Sequence, residues 1–206
     1  MQFLQIRRKF AIGVSSALLL ATAAAGTVAA APRGADFDMI VSPAAKTCLP
    51  NATAKVHVRS LGPVEVMNVE ASGLPKNTEF DFFVIQVPNK PFGVAWYQGD
   101  MQTNDDGEAE GRFIGRFNIE TFAVAPGVAP APVVFNDAFP DAAQNPAFNP
   151  IQMYHLGLWF NSPADAQAAG CANSVTPFNG EHNAGIQVLN TANAADDQGP
   201  LRQIHG

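Results

Sequence analysis

The sequence has few basic residues and few charges of any kind. Lys and Arg number 12 of 206 residues, against 18 Asp and Glu. Three of the 12 lie in residues 7–9, so the chain beyond residue 30 has nine basic against 18 acidic residues, a net charge of about −9. Nucleic-acid binding depends on Lys and Arg that neutralise phosphates, and so does adhesion to anionic membranes. We therefore expect neither nucleic acid nor a membrane surface as a partner.

The sequence also lacks the motifs of several enzyme classes. It has no Gly-x-Ser-x-Gly or Ser-x-x-Lys of serine nucleophiles, no phosphate-binding glycine loop and no His-Glu-x-x-His. A blue-copper site needs a Cys close to a His and a Met, and Cys171 has neither nearby. Residues 104–108 are too short for a twelve-residue calcium loop and are typical of a hairpin turn. No cofactor, metal or catalytic residue is predicted from motifs.

Cysteine is scarce, with Cys48 and Cys171 the only two. In an oxidising compartment an even pair predicts a disulfide, here between Cys48 and Cys171. The alternatives are a free reactive thiol or a metal ligand. No Cys or His lies within two to four residues of either cysteine, so the spacing does not favour a metal site.

Residues 1–30 have the composition of a signal peptide. Residues 7–9 are positively charged, residues 10–25 are apolar, and residues 28–30 form a small-residue cleavage site. The mature chain would then begin at Ala31. A retained transmembrane helix is the alternative, but Gly and Ser interrupt the apolar stretch and small residues follow it. We therefore expect a secreted or extracytoplasmic protein that has no membrane anchor after cleavage.

The export route has two candidates. Residues 7–10, Arg-Arg-Lys-Phe, are similar to the core of a twin-arginine signal, and the apolar stretch is only mildly apolar. However, Ile6 stands where that motif usually has Ser or Thr. The general secretory (Sec) route is therefore favoured over the twin-arginine route.

Residues 31–191 are predicted to form a single all-β domain. Residues 55–59 alternate between valines and polar groups, and residues 108–120 alternate over a longer run, so each has one packed and one solvated face. Residues 79–87 are apolar on both faces, which is typical of a strand at the centre of the core. These patterns predict an antiparallel β-sandwich with one short helix.

Two segments carry a resemblance to a known architecture. Residues 71–83, ASGLPKNTEFDFF, followed by the turn TNDDGEAEG at 103–111, are similar to strands of bacterial extracellular immunoglobulin-like or fibronectin-type-III-like sandwiches. The resemblance spans about 50 residues and implies a fold rather than a function. The Cys-Trp-Cys core pattern of that family is absent.

The last third of the chain adds a helix, a hairpin and a tail. Residues 162–165, Ser-Pro-Ala-Asp, predict a helix with Ser as N-cap and Pro at the first position, which Gly170 ends. Residues 185–190 are expected to pair antiparallel with 153–160. Residues 192–206 are polar and without apolar pattern, so a disordered tail is predicted.

Two histidines and a carboxylate form one candidate site. His155 and His182 stand at opposite ends of the loop in the predicted hairpin, and Glu181 is adjacent. If the strands pair, these residues could approach one another beside Trp159 on the face away from the core. Two His and one carboxylate can hold a metal or serve an enzyme, whereas isolated histidines more often have structural or solvated roles.

Aromatic residues form a second candidate site. Trp96, Trp159 and Phe178 could stack against sugar rings or apolar ligands. Trp96 and Tyr97 are adjacent on a strand and should point to opposite faces, so at most one is expected in a given site. The loop 162–185 is longer than a hairpin needs, which favours function there, although it could simply cap the fold with Phe178 as a plug.

These observations predict an exported, soluble β-sandwich protein with a non-catalytic binding or structural role in the cell envelope or extracellular space. A protein or glycan outside the cell is the candidate partner. One alternative is an extracytoplasmic enzyme or metal-binding protein that uses His155, Glu181 and His182. The other is a glycan- or small-molecule-binding module that uses exposed aromatic residues.

Overall fold

Residues 53–60 and 109–115 form strands in which buried and exposed residues largely alternate, as a period of two predicts. The computed structural model of the protein describes residues 33–123, 151–177 and 182–205. The strands within these residues are β1 (Gly34–Val41), β2 (Thr53–Ser60), β3 (Glu65–Ser72), β4 (Glu79–Ile85), β5 (Ala95–Gln102), β6 (Ala109–Gly115), β7 (Phe122–Ala123), β8 (Ile151–Gln152), β9 (His155–Phe160) and β10 (Gln187–Asn190). The helices are α1 (Pro163–Ala168) and a 3₁₀ helix (Pro200–Gln203). The predicted signal peptide lies outside the described residues.

Eight strands form one antiparallel sheet in the order β5-β4-β9-β10-β1-β2-β3-β6, and β7 pairs with β8 separately. The all-β prediction is confirmed, but the two-sheet sandwich is wrong: the single sheet curls until it is nearly closed into a barrel. Strand β1 explains the difference. Its residues 34–39 pair with β2, and Ile40 and Val41 then pair with β10. Strand β1 therefore joins the half-sheet β5-β4-β9-β10 to the half-sheet β2-β3-β6. Alternation alone cannot distinguish these architectures, because both bury one face of each strand.

The interior of the curled sheet holds the main core. Its largest fully buried side chains include Phe80, Phe82, Met67, Phe117 and Phe160. Phe82 of β4 stacks on Phe113 of β6, with ring centroids 4.8 Å apart and planes inclined by 9°. This contact joins two strands that share no ladder. Aromatic packing across the interior therefore helps to hold the sheet in its curled form.

Strand β4 is buried on both faces, as its sequence predicts. Phe80, Phe82 and Val84 lie in the main core, and Phe83 and Ile85 lie in a second cluster on the outer face. The strand has partners on both sides, β5 and β9. The prediction that this strand is central is confirmed.

The turn at residues 104–107 is present, but it does not join a hairpin. Gly107 has φ +76°, the positive value that the turn requires. Strands β5 and β6 on either side are the two edges of the sheet and do not pair with each other. Instead, the turn bonds to an earlier connection, because Leu74 N–H donates to Gly107 O over 3.2 Å and Thr103 N–H to Thr78 O over 3.0 Å. The hairpin prediction is therefore wrong, since the turn connects two strands that form no ladder with each other.

The late helix and the disulfide are confirmed. Ser162 caps α1, with Asp165 N–H donating to Ser162 Oγ over 3.1 Å, and Gly170 ends it with φ +77°. Cys48 and Cys171 are bonded, with their Cα atoms 5.2 Å apart. Strands β9 and β10 pair antiparallel as expected. Disulfides persist in oxidising compartments, so the bond agrees with export.

The end of the chain is packed, contrary to the expectation of disorder from residue 192. Leu201 and Ile204 are fully buried. Ile119 N–H donates to Ile204 O over 2.9 Å, and Leu201 N–H donates to Tyr154 O over 3.2 Å. Two apolar residues are too few to form a periodic pattern, yet their burial and these long-range bonds hold residues 192–205 in place. No helix among the described residues has the length and apolar character to span a membrane.

Candidate functional site

The candidate site lies on the outer face of the half-sheet β5-β4-β9-β10. Antiparallel registers align Asp100, Asp81, Trp159 and Gln187 in one row across these four strands. Residues paired in this way project from the same face. Glu79 and Phe83 lie two positions on either side of Asp81, so they share that face too.

A groove of about 700 Å³ lies over this face. Its aromatic wall is formed by Phe83, Phe92, Trp96, Tyr97 and Trp159. Its polar lining residues are Glu79, Asp100, Asn161, Thr176 and His182. The size is in the usual range of small-molecule sites, about 300–1,000 Å³.

Trp159 is the fixed centre of the aromatic wall. It is 3% exposed and makes edge-to-face contacts with Phe83 and Phe92, at centroid distances of 5.2 and 5.1 Å. Gly157 makes room for it, because a Cβ at that position would lie 2.2 Å from Trp159 Cζ3. The absence of a side chain at residue 157 therefore sets the position of the indole.

Trp96 and Tyr97 both line the groove, although their alternation predicts that only one should. Strand β5 is an edge, and its register with β4 shifts between the pairs Phe82–Gly99 and Phe83–Tyr97. Trp96 is 48% exposed and also borders a shallower depression. Because no strand pairs with the outer side of β5, side chains from both faces of this edge strand can border the same groove. Trp96 and Tyr97 therefore both line it.

Asp81 is the buried acid beneath the groove. It is 0% exposed, and neither carboxylate oxygen has a hydrogen-bond donor among the described residues. The imidazole of His182 lies close to it, with Nε2 3.8 Å from Asp81 Oδ2. Burial raises the pKa of Asp81 from 3.8 to about 6, against the opposing effect of His182. The negative charges of Asp100 and Glu79 contribute to the same rise in the pKa.

The other two carboxylates of the site have partners. Tyr97 Oη donates to Asp100 Oδ1 over 2.5 Å, and Asn161 Nδ2 donates to Glu79 Oε2 over 3.4 Å. Burial, followed by the bond to Asp100, raises the pKa of the Tyr97 hydroxyl. Tyr97 therefore keeps its proton and stays a donor. The site combines carboxylate acceptors, aromatic rings and one histidine on a rigid sheet.

The structure brings together some of the residues that the sequence singled out. Trp96, Trp159 and His182 all line the groove. Phe178 and Glu181 lie outside the described residues, so their predicted roles stay predictions.

His155 is placed elsewhere, paired with Ile85, four positions from the Asp81–Trp159 pair. Four residues of strand correspond to about 13 Å. The sequence-based expectation that His155 approaches His182 is therefore not met.

His155 has a complete set of buried partners. Its Nε2 lies 3.1 Å from both Ala195 O and Asp196 O, so this nitrogen carries the proton that they accept. Its Nδ1 lies 2.8 Å from Thr191 Oγ1, and that hydroxyl accepts from Leu156 N–H. Burial lowers the pKa of His155 despite these bonds. The arrangement holds a neutral imidazole. Among the described residues, no group of three His, Cys, Asp or Glu could hold a metal ion.

The three carboxylates Glu79, Asp81 and Asp100 were not among the candidate residues predicted from the sequence. Asp81 did leave a signal, since it is a charged residue inside the apolar run Phe80–Ile85. A strand buried on both faces has no solvated position for a charge, so a carboxylate there predicts a special environment. Asp100 left no comparable signal, because only the β4–β5 register places it beside Asp81.

The sequence matches no known protein family and no curated protein. The function must therefore be argued from the site itself.

We expect Asp81→Asn to stabilise the protein at neutral pH and to have less effect in acid. The raised pKa of Asp81 means that the folded state binds more protons than the unfolded state between about pH 4 and pH 6. The stability that protonation provides is complete below pH 4 and is lost as the pH rises through 6. The variant should be more stable than the wild type at pH 7.5 by on the order of 2 kcal/mol, measured by urea denaturation.

The difference between variant and wild type should shrink as the pH falls to about 4. His155 contributes the opposite pH dependence, because its lowered pKa destabilises the folded state in acid. That contribution cancels when the two proteins are compared at each pH. A constant difference from pH 4 to 7.5 would contradict the raised pKa. Asp38→Asn is the control, since Asp38 is exposed on β1 and the same charge is removed.

Proposed function

We propose that the protein is an exported, non-catalytic binding module that holds a small organic ligand in the groove on the outer face of β5-β4-β9-β10. The aromatic wall carries this proposal: five rings line one groove of about 700 Å³ with polar groups around them. Such sites bind ligands by covering apolar surface and orient them with a few polar groups.

The groove is preorganised, which favours binding. Trp159 is locked by Phe83, Phe92 and the missing side chain at Gly157. The polar groups Asp100 and Glu79 are held by bonds from Tyr97 and Asn161. A site whose residues are already ordered loses less conformational freedom on binding.

Export rests on independent observations. The first 30 residues have the composition of a signal peptide. The disulfide Cys48–Cys171 suits an oxidising compartment. The excess of acidic residues argues against nucleic acid and anionic membranes as partners. A soluble binding module outside the cytoplasm agrees with all three.

An extracytoplasmic acid–base enzyme is the second candidate. Asp81, with its pKa near 6, faces Asp100, and paired carboxylates in unequal environments can divide the roles of acid and base. His182 lies close to Asp81. A binding module releases its ligand unchanged, whereas an enzyme converts it, so recovery of the ligand after incubation separates the two.

Intrinsic fluorescence tests the binding proposal directly, because both tryptophans of the chain line the groove. The mature protein should be titrated with a panel of neutral glycans, organic amines, organic acids and apolar alcohols. We expect at least one class to change the emission saturably. Trp96→Ala should weaken that binding about 10-fold or more, as the loss of an aromatic contact typically does.

Ile114→Ala is the matched control, since Ile114 is exposed on the opposite edge strand β6. It should bind like the wild type. The proposal fails if no class of the panel binds, or if binding survives Trp96→Ala unchanged and is equally insensitive to Gly157→Val. Gly157→Val is the second test because its side chain must displace Trp159 within the groove.

A further inference from the structure

The structure assigns a ligand class to this groove: we propose that it binds a primary organic amine, with the ammonium at Asp81 and an apolar or aromatic body against the aromatic wall. This inference rests on the proposed binding function and narrows it to one chemistry. It follows from the charge of the groove, from the unmet hydrogen-bonding capacity of Asp81, and from the aromatic rings.

The groove is lined by two acids and, apart from His182, by no basic side chain among the described residues. The acids are Glu79 and Asp100, and the buried Asp81 pairs with Asp100 in the β4–β5 ladder. A site of this kind attracts a cation and repels an anion.

Asp81 requires a donor. Its carboxylate is fully buried, and neither oxygen has a hydrogen-bond donor among the described residues. A buried acceptor left unsatisfied costs free energy that a partner would recover. His182 Nε2, at 3.8 Å, is beyond the length of a hydrogen bond. An N–H donor delivered by the ligand meets this need once the side chains that cover Asp81 move aside, because both of its oxygens are closed to solvent in the unliganded protein.

The need for N–H donors separates one class of cation from another. A primary ammonium has three N–H groups and can donate to Asp81 and to Asp100, which lies opposite it in the β4–β5 ladder. A quaternary ammonium has no N–H and would leave the oxygens of Asp81 unsatisfied. A neutral sugar could donate from hydroxyls, but charge-assisted bonds are about twice as strong.

The aromatic rings suit the rest of such a ligand. Trp96, Tyr97 and Phe83 line the groove beside Asp100 and above Asp81. Rings of this kind cover apolar surface and attract a cation through their faces. Trp159 lies next to Asp81 in the same row, and its Nε1–H has no acceptor among the described residues. A ligand seated on this row would contact the rings and the acid at once.

Four ligands of similar size test the proposal: 2-phenylethylamine, its N,N,N-trimethyl analogue, 2-phenylethanol and 3-phenylpropanoate. Each should be titrated into the mature protein at pH 7.5 and followed by tryptophan fluorescence and by calorimetry. We expect the primary amine to bind at least about 10-fold more tightly than the alcohol. The trimethyl analogue should fall between them, and the carboxylate should bind most weakly.

Variants of the two carboxylates test which of them causes the preference for the amine. Asp81→Asn should remove the preference for the amine over the alcohol and leave binding of the alcohol nearly unchanged. Asp100→Asn should reduce the preference in part, and it serves as a second variant if Asp81→Asn does not fold. Asp38→Asn removes the same charge from an exposed position on β1 and should leave the preference intact.

The outcomes separate this inference from the proposed function. If the alcohol or a neutral glycan binds as tightly as the amine and Trp96→Ala weakens it, the amine inference fails and the binding function stands. The inference also fails if the preference for the amine survives both Asp81→Asn and Asp100→Asn. If no ligand of either panel binds, both proposals fail.

Discussion

Replacing Cys48 and Cys171 together with alanine should lower the free energy of unfolding by about 2–5 kcal/mol. The bond joins the connection between β1 and β2 to the segment that follows α1, across a sequence separation of 123 residues. A crosslink over so long a loop removes much of the freedom of the unfolded chain, about 5 kcal/mol in the chain-entropy estimate. Equilibrium urea denaturation of the mature protein measures the loss.

Reduced wild type is the natural control for this experiment. It should unfold at the same urea concentration as the double variant, because both lack the crosslink. Protein taken from its natural compartment should show no titratable thiol after denaturation. A loss below about 1 kcal/mol in the double variant, or two free thiols in the isolated protein, would refute a stabilising disulfide.

Phe82→Ala should cost about 3–5 kcal/mol, the typical range for truncation of a buried phenylalanine. Phe82 is fully buried and stacks on Phe113, which belongs to the opposite edge strand β6. Its loss leaves a cavity and also removes a contact that holds the two halves of the sheet together. Thermal and urea denaturation should both show the effect.

Ile114→Ala is the appropriate comparison, since Ile114 is the neighbour of Phe113 on β6, is 64% exposed and points away from the core. Surface truncations of this kind typically change stability by less than about 0.5 kcal/mol. If Phe82→Ala and Ile114→Ala had equal effects, the Phe82–Phe113 contact would not contribute to closure of the sheet.

Local patterns predicted the elements but not their partners. Alternation located β2 and β6, the apolar run at residues 79–87 located β4, and residues 162–165 located α1 with its cap. These features depend on residues a few positions apart, so they can be read along the chain. The order of the strands in the sheet cannot be read in this way. Strand β4 pairs with β9, which follows it by about 70 residues in the chain, and no local pattern in β4 or β9 specifies that pairing.

The candidate site shows the same division. Aromatic residues and histidines drew attention to Trp96, Trp159 and His182, which do lie in one groove. The sequence placed His155 with them, but its side chain is enclosed by Thr191 and two carbonyls from the segment after β10. The register of β9 with β4 separates His155 from the groove, because it pairs His155 with Ile85 and places Trp159, four residues later, opposite Asp81.

By itself, the sequence determined that this protein is an acidic, all-β chain with one disulfide and one short capped helix, because composition, period-two alternation, a single pair of cysteines and capping residues do not depend on which strands pair. Only the tertiary structure decided that the strands form one curled sheet rather than two stacked ones, since β1 pairs with β2 along most of its length and with β10 at its end. It alone also placed Asp81 beside Asp100 beneath an aromatic groove, because side chains from β4, β5 and β9 meet only through the register of their hydrogen bonds.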